Sequence, residues 1–181
     1  MRKTRSNGVG DMRLVQLMPN YDLTKFDCGD EDLNDFLRSD SISCVQLQIA
    51  KTFILEDDGC VLAYFSLLND KISRNELTGS QWKKVVKRFP KGKRFNSYPS
   101  IKIGRFAVSK SCQGKSIGSD VMDGIKKILR ADPGRSAFRY LTVDAYLSAI
   151  PFYEKNGFSL LSKKEEGDET RLMFYDMMEI A

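Results

Sequence analysis

Apolar positions along the 181-residue chain fall into short runs whose period changes repeatedly, and each change marks an element boundary. Residues 12–18, Met-Arg-Leu-Val-Gln-Leu-Met, read as a first strand. Asp27-Cys28-Gly29-Asp30 is turn chemistry with acids placed to cap a helix, and Leu33, Phe36 and Leu37 then share one helical face. A second helix follows through Ile42, Val45 and Gln46. Strands at 52–55 and 61–68 flank the tight turn Asp57-Asp58-Gly59 and predict a hairpin. Trp82, Val85, Val86 and Phe89 predict a short amphipathic helix ended by Pro90. Residues 101–108 form a strand with Gly104 inside it, where an interior glycine signals a bulge or a close backbone approach. Ile117, Val121, Ile125 and Leu129 recur every four residues, which predicts a helix of about four turns stopped by Asp132-Pro133-Gly134. A strand at 138–145 leads to a helix that Ser148 can cap and Gly157 ends. Residues 158–161 and 172–177 close the chain as strands, with a polar stretch at 163–170 between them.

The resulting order, β-α-α-β-β-(α)-β-α-β-α-β-β, predicts a mixed α/β fold with one sheet covered by helices. Residues 12–181 are expected to form a single domain behind a flexible basic tail at 1–11. No apolar run approaches the ~20 residues of a membrane span, and the basic start has no apolar stretch behind it as a secretory signal would. A cytoplasmic protein without membrane contact is expected. Cys28, Cys44, Cys60 and Cys112 form no CxxC pair and read as free thiols of a reducing compartment.

The chain has no histidine, which excludes Ser-His-Asp and Cys-His triads and every histidine-containing zinc site. No metal is expected. Acid–base chemistry falls to carboxylates, tyrosine, lysine, cysteine or water.

Charge is unevenly placed. Between Glu76 and Asp120 there is no acid and there are eleven cations, Lys83, Lys84, Lys87, Arg88, Lys91, Lys93, Arg94, Lys102, Arg105, Lys110 and Lys115. The rest of the chain carries 18 cations against 24 acids, so this interval alone creates the net charge of +5. Such a field attracts polyanions, either a phosphorylated cofactor or a nucleic acid, unless it is only a solvated basic surface.

Within it lies Val108-Ser109-Lys110-Ser111-Cys112-Gln113-Gly114-Lys115-Ser116-Ile117-Gly118-Ser119, a strand end, a loop of small residues and a helix start. Amides at a helix start lack intrahelical partners, the helix dipole adds positive potential, and small side chains let phosphate oxygens approach. Gly114-Lys115-Ser116 imitates the end of a P-loop, but that motif needs glycine where Ser109 stands, so a Walker-type site is excluded.

Here the chain resembles the GNAT superfamily of N-acetyltransferases. Gln113-Gly114-Lys115-Ser116-Ile117-Gly118 is similar to the family's Arg/Gln-x-x-Gly-x-Gly/Ala signature, with Ser116 at the first signature glycine. Ala149-Ile150-Pro151-Phe152-Tyr153-Glu154-Lys155-Asn156-Gly157-Phe158 is similar to its A-x-x-F-Y-E-K-x-G-F segment, with Tyr146 where many members carry asparagine. Phe26-Asp27-Cys28-Gly29, Leu33, Phe36-Leu37 and Ile103-Gly104-Arg105-Phe106-Ala107-Val108 further resemble the GNAT toxins of toxin–antitoxin pairs.

The resemblance implies a mostly antiparallel sheet that splays between strands 101–108 and 137–144. It implies acetyl-CoA, or another acyl-CoA, lying along Phe106, Ala107 and Val108, with its pyrophosphate at Gln113, Gly114, Lys115, Ser116, Ile117, Gly118 and Ser119. The acceptor amine would attack the thioester directly, and Tyr153 would protonate the leaving thiolate. In the toxins the acceptor is the α-amine of aminoacyl-tRNA. Lys87, Arg88, Lys91 and Lys93 would then bind tRNA, with an antitoxin protein and a second copy of the chain as candidate partners. Trp82 and Phe89 would either stack on unpaired bases or form the buried face of their helix. Strand 101–108 offers no acid as a base, which favours an α-amine near pKa 8 over a lysine amine near 10.4. Asp144 stands as a base acting through water or as a polar strand end. The alternatives are a generic GNAT enzyme acting on a small or protein amine, and a non-catalytic basic module that binds nucleic acid.

Overall fold

The computed structural model describes residues 12–19, 21–90, 95–131, 136–161 and 169–179. The expected tail at 1–11, Lys91, Lys93 and Arg94, the helix stop at 132–134 and residues 163–168 of the polar stretch lie outside the described residues.

The elements are β1 (Arg13–Gln16), α1 (Glu31–Asp35), α2 (Ser41–Gln46), β2 (Lys51–Asp57), β3 (Cys60–Ser73), α3 (Gly79–Val85), β4 (Ser97–Val108), α4 (Ile117–Ala131), β5 (Tyr140–Tyr146), α5 (Ile150–Lys155), β6 (Ser159–Leu160) and β7 (Thr170–Asp176). This is the order expected from the hydrophobic pattern. The strands form one seven-stranded sheet, β1-β2-β3-β4-β5-β7-β6. Antiparallel ladders join β1 to β2, β5 to β7 and β6 to β7. The β4–β5 ladder is parallel and runs from Ser100↔Tyr140 to Ile103↔Val143, while the strands continue to Val108 and Tyr146.

Local chemistry accounts for most boundaries. Asp30 caps α1 by accepting from the Leu33 amide at 3.1 Å, as its position predicts. A five-residue π-helical turn, Phe36–Asp40, joins α1 to α2. The β2–β3 hairpin closes on Asp58 and Gly59, both at positive φ, the geometry a two-residue hairpin turn needs. Thr78 and Gln81 form a reciprocal capping box at the start of α3.

Four expectations need correction. β3 runs to Ser73, well past the anticipated end at 68, because pairing in the sheet carries it through the polar Asn69-Asp70-Lys71. β4 begins at Ser97 and includes Pro99, whose carbonyl accepts from the Arg139 amide at 3.0 Å just before the ladder with β5 starts at Ser100. α3 ends at Val85, although Val86 remains buried. Ser148 does not cap α5: a 3₁₀ turn over Leu147–Ala149 feeds the helix, and Ala149 takes the cap position without a side-chain bond.

By its internal packing the chain divides into two compact units, Met1–Ser66 with Arg105–Val121, and Leu67–Gly104 with Met122–Ala181. In the first, Leu17, Leu23, Phe26, Leu37, Ile54, Tyr64 and Ala107 form a buried cluster. In the second, Ile72, Trp82, Val85, Val86, Tyr98, Tyr140 and Leu161 do so.

Candidate functional site

The first unit carries the small-residue loop. Phe106, Ala107 and Val108 end β4, and Ala107 is buried while the other two are half-buried. The Ser109 amide donates to Leu62 O at 2.8 Å and the Lys110 amide to Asp27 O at 2.9 Å, which turns the chain off the sheet. The Gln113 carboxamide donates to Cys28 O at 2.8 Å and Val108 O at 2.9 Å. Its carboxamide thereby ties the loop to the end of β4 and to Cys28.

Gly114 and Ser116 both take left-handed backbone conformations, at φ +74° and +64°. The Ser116 carbonyl then accepts from the Ser119 and Asp120 amides at 2.9 and 3.1 Å as α4 begins at Ile117. By helix geometry the amides of Ser116, Ile117 and Gly118 have no carbonyl four residues back inside α4. With the dipole of a 15-residue helix behind them, they suit an anion such as a pyrophosphate. Lys115 is exposed at the same turn.

The positive φ explains why the family signature favours glycine at the place Ser116 occupies. A serine tolerates this region at a strain of ~1–2 kcal/mol, and a β-branched residue does so far less readily. Ser116→Val is expected to lower the melting temperature by about 2–8 °C, whereas Ser116→Gly should leave it unchanged or raise it. Thermal unfolding of the two variants checks this.

A brace missed at the sequence level holds the loop. Lys110 Nζ pairs with Asp27 Oδ2 at 2.8 Å, and that bond, with donation from the Gly29 amide and Asn34, holds the Asp27 carboxyl down at about 2. Lys110 is thus committed to Asp27, so it adds less free charge to the loop than its sequence position suggests. Asn34 Oδ1 accepts from the Cys28 amide at 2.9 Å and its thiol at 3.2 Å. Burial pushes that thiol's pKa up, which leaves it a packing group. Gly29 sits at φ +90°, and a Cβ there would meet Lys110 Cε at 2.9 Å. The Phe26-Asp27-Cys28-Gly29 motif is therefore the wall against which the loop is built. Nearby, Arg105 pairs with Asp32 at 3.7 Å and lies over the Phe36 ring.

The second unit carries Tyr153, which is 6% exposed on α5. Burial raises its phenol well above the ordinary value, so it stays protonated at neutral pH, as a proton donor must. The helix ends in a Schellman motif. The Phe158 amide donates to Tyr153 O at 3.0 Å and the Gly157 amide to Glu154 O at 2.9 Å. The hydrophobic contact of that motif is the edge-to-face pair Tyr153–Phe158, with ring centroids 5.4 Å apart. Phe152 also meets the Tyr153 ring edge to face, with centroids 5.2 Å apart. Gly157, at φ +82°, lies where a Cβ would touch the Tyr175 ring at 3.2 Å. Lys126, nearly buried on α4, donates to Asn156 O at 2.7 Å and stands 4.5 Å from the Tyr175 ring centre. A cation at a helix C-terminus is favourable. The Phe-Tyr-Glu-Lys-x-Gly-Phe run is thus a capping device that fixes the tyrosine.

Asp144 of β5 is paired with Lys102 of β4, and Thr142 of β5 donates to Asp70 of β3 at 3.1 Å. The carboxylate considered as a water-mediated base is engaged by a cation. In the basic cluster, Lys83, Lys84 and Lys87 are exposed on and just after α3. Arg88 instead pairs with Glu179 at 3.3 Å and Asp176 at 3.9 Å. Trp82 is buried, and Phe89 stacks on Tyr98 at 4.2 Å, so both serve the core of the second unit. Lys91 and Lys93 lie outside the described residues.

Against known proteins, the family described as Acetyltransferase (GNAT) domain matches residues 93–179. An uncharacterised N-acetyltransferase of Bacillus subtilis (strain 168), YjcF, is 38% identical over 64 residues. That stretch is 35% of this chain and spans less than half of the relative, 43% of its length. Among solved structures, AtaT complexed with acetyl-methionyl-tRNAfMet is similar over 92% of this chain and 95% of its own, at 26% identity and a TM-score of 0.76. AtaTR bound with acetyl-CoA is similar over 92% of this chain and 94% of its own, at 26% identity and a TM-score of 0.69.

Proposed function

We propose that the chain, whose residues 93–179 match the GNAT acetyltransferase domain, is an acetyl-CoA-dependent N-acetyltransferase of the toxin type, acting in the cytoplasm on the α-amine of aminoacyl-tRNA. The observation that carries the enzyme reading is the paired one: a glycine–serine turn at positive φ leading into α4, and a buried tyrosine locked by a Schellman cap. The first suits a pyrophosphate, and the second suits a proton donor.

In this reading the backbone at Phe106–Val108 guides the pantetheine arm, and the amides of residues 114–119 receive the pyrophosphate. The substrate amine forms the new C–N bond at the thioester carbonyl as the C–S bond breaks. Tyr153 gives its phenolic proton to the departing sulfur, and the proton lost by the amine leaves to solvent, from which the phenolate is reprotonated. No enzyme nucleophile is needed, and positioning can supply up to ~7–11 kcal/mol of the acceleration.

The acceptor reading is supported by the likeness to AtaT complexed with acetyl-methionyl-tRNAfMet and by cations beyond what one cofactor needs. The committed Asp144 favours an amine that needs little help to lose a proton. An antitoxin that neutralises this activity belongs to the same proposal.

The test uses Lys83, Lys84 and Lys87 reversed together to glutamate, with Arg88 left in its ion pairs. Transfer to charged tRNA should fall by at least about tenfold, and its salt slope should flatten by about 2–3. Acetyl-CoA affinity should hold. Efficient transfer to a small amine or peptide but never to charged tRNA would remove the acceptor and leave a generic N-acetyltransferase.

A further inference from the structure

The second unit has a surface hollow of about 550 Å³ lined by Lys71, Ser73, Arg74, Asn75, Asn96 and Ser97. It forms where the end of β3 meets the start of β4, and the Arg74 amide ties the two by donating to Asn96 O at 2.9 Å. Among the described residues no carboxylate lines it, so it suits an anion-bearing ligand. Its volume falls in the range of small-ligand sites, ~300–1,000 Å³, far more than one phosphate needs. The two asparagines each offer both a donor and an acceptor, the complement of a base edge. Phe95, which precedes Asn96 in the chain, does not line the hollow itself but is 71% exposed, with its ring 6.1 Å from the Tyr98 centroid and near-perpendicular to it. A phenyl left in water against a buried tyrosine ring can serve as a stacking platform.

We propose that this hollow binds one unpaired nucleotide of RNA, with the base on Phe95 and against Asn75 and Asn96, and the phosphate on Lys71 and Arg74. The inference rests on the RNA acceptor proposed above. It adds a contact nine or more positions before Phe106 along β4, one that gives affinity and takes no part in the transfer step. Base-edge groups and an exposed ring favour single-stranded over duplex RNA, whose bases are already stacked.

The experiment measures anisotropy of a fluorescein-labelled single-stranded decaribonucleotide with the full chain, its Phe95→Ala variant and its Lys71→Gln/Arg74→Gln variant. Each variant should weaken binding about five- to a hundredfold, keep the wild-type acetyl-CoA affinity, and raise KM for charged tRNA without lowering kcat. A duplex of equal length should compete poorly, and so should AMP. Binding by both variants equal to wild type overturns the inference, and AMP binding as tight as the oligonucleotide replaces RNA by a free nucleotide. A wild-type protein that binds the oligonucleotide through these residues yet never acetylates charged tRNA refutes the acceptor and leaves the hollow standing. Acetylation of charged tRNA with an unchanged KM in both variants does the reverse.

Discussion

Tyr153→Phe is expected to reduce turnover by about 10²–10⁴ while leaving acetyl-CoA affinity and thermal stability close to wild type. The substitution removes one oxygen and keeps the ring. The edge-to-face pairs with Phe152 and Phe158 depend on the ring, and the Schellman bonds run through the backbone. Burial has already raised the phenol's pKa, so wild type loses no proton from it at neutral pH. Only the proton proposed for donation disappears. Steady-state kinetics with separate kcat and KM, beside calorimetric titration with CoA, test this directly. Unchanged kcat would make Tyr153 a packing residue and leave the leaving thiolate to solvent.

Gly118→Glu should act the opposite way, on binding alone. Gly118 lies in the first turn of α4, beyond the left-handed Ser116. In the proposed binding mode a carboxylate there competes with the pyrophosphate of acetyl-CoA for the same amides. Affinity for acetyl-CoA should fall at least about a hundredfold, or ~2.7 kcal/mol. The helix itself should gain, because glutamate is the better helix former by up to ~1 kcal/mol and an acid suits an N-terminus. A protein that melts no lower but no longer binds the cofactor is the expected result. Retained affinity would move the pyrophosphate away from this turn.

The element order was legible because most helices and strands here are amphipathic over short, well-punctuated runs. What was lost lay where pairing in the sheet outweighs local polarity, as in Asn69-Asp70-Lys71 within β3, or where proline sits in a strand, as Pro99 does in β4. Tyr153 could be named from its motif, but its surroundings could not. That its neighbours Gly157 and Phe158 close a Schellman cap is a matter of backbone angles. The brace of the loop was illegible for a different reason. Asp27 meets Lys110, and Cys28 O meets Gln113, across more than eighty residues of chain, and no periodicity connects them. Charge counting also could not show that Arg88 has acidic partners, because Asp176 and Glu179 come from the far end of the sequence.

The Schellman cap gives the molecule an internal clock. The amide hydrogens of Gly157 and Phe158 are held by Glu154 O and Tyr153 O, so each can exchange with heavy water only while the end of α5 is open. Their exchange rates therefore count how often the proposed proton donor loses its backbone support. Protection of these two hydrogens that rises when acetyl-CoA binds would mark ordering of the acid by its own substrate, readable without any turnover at all.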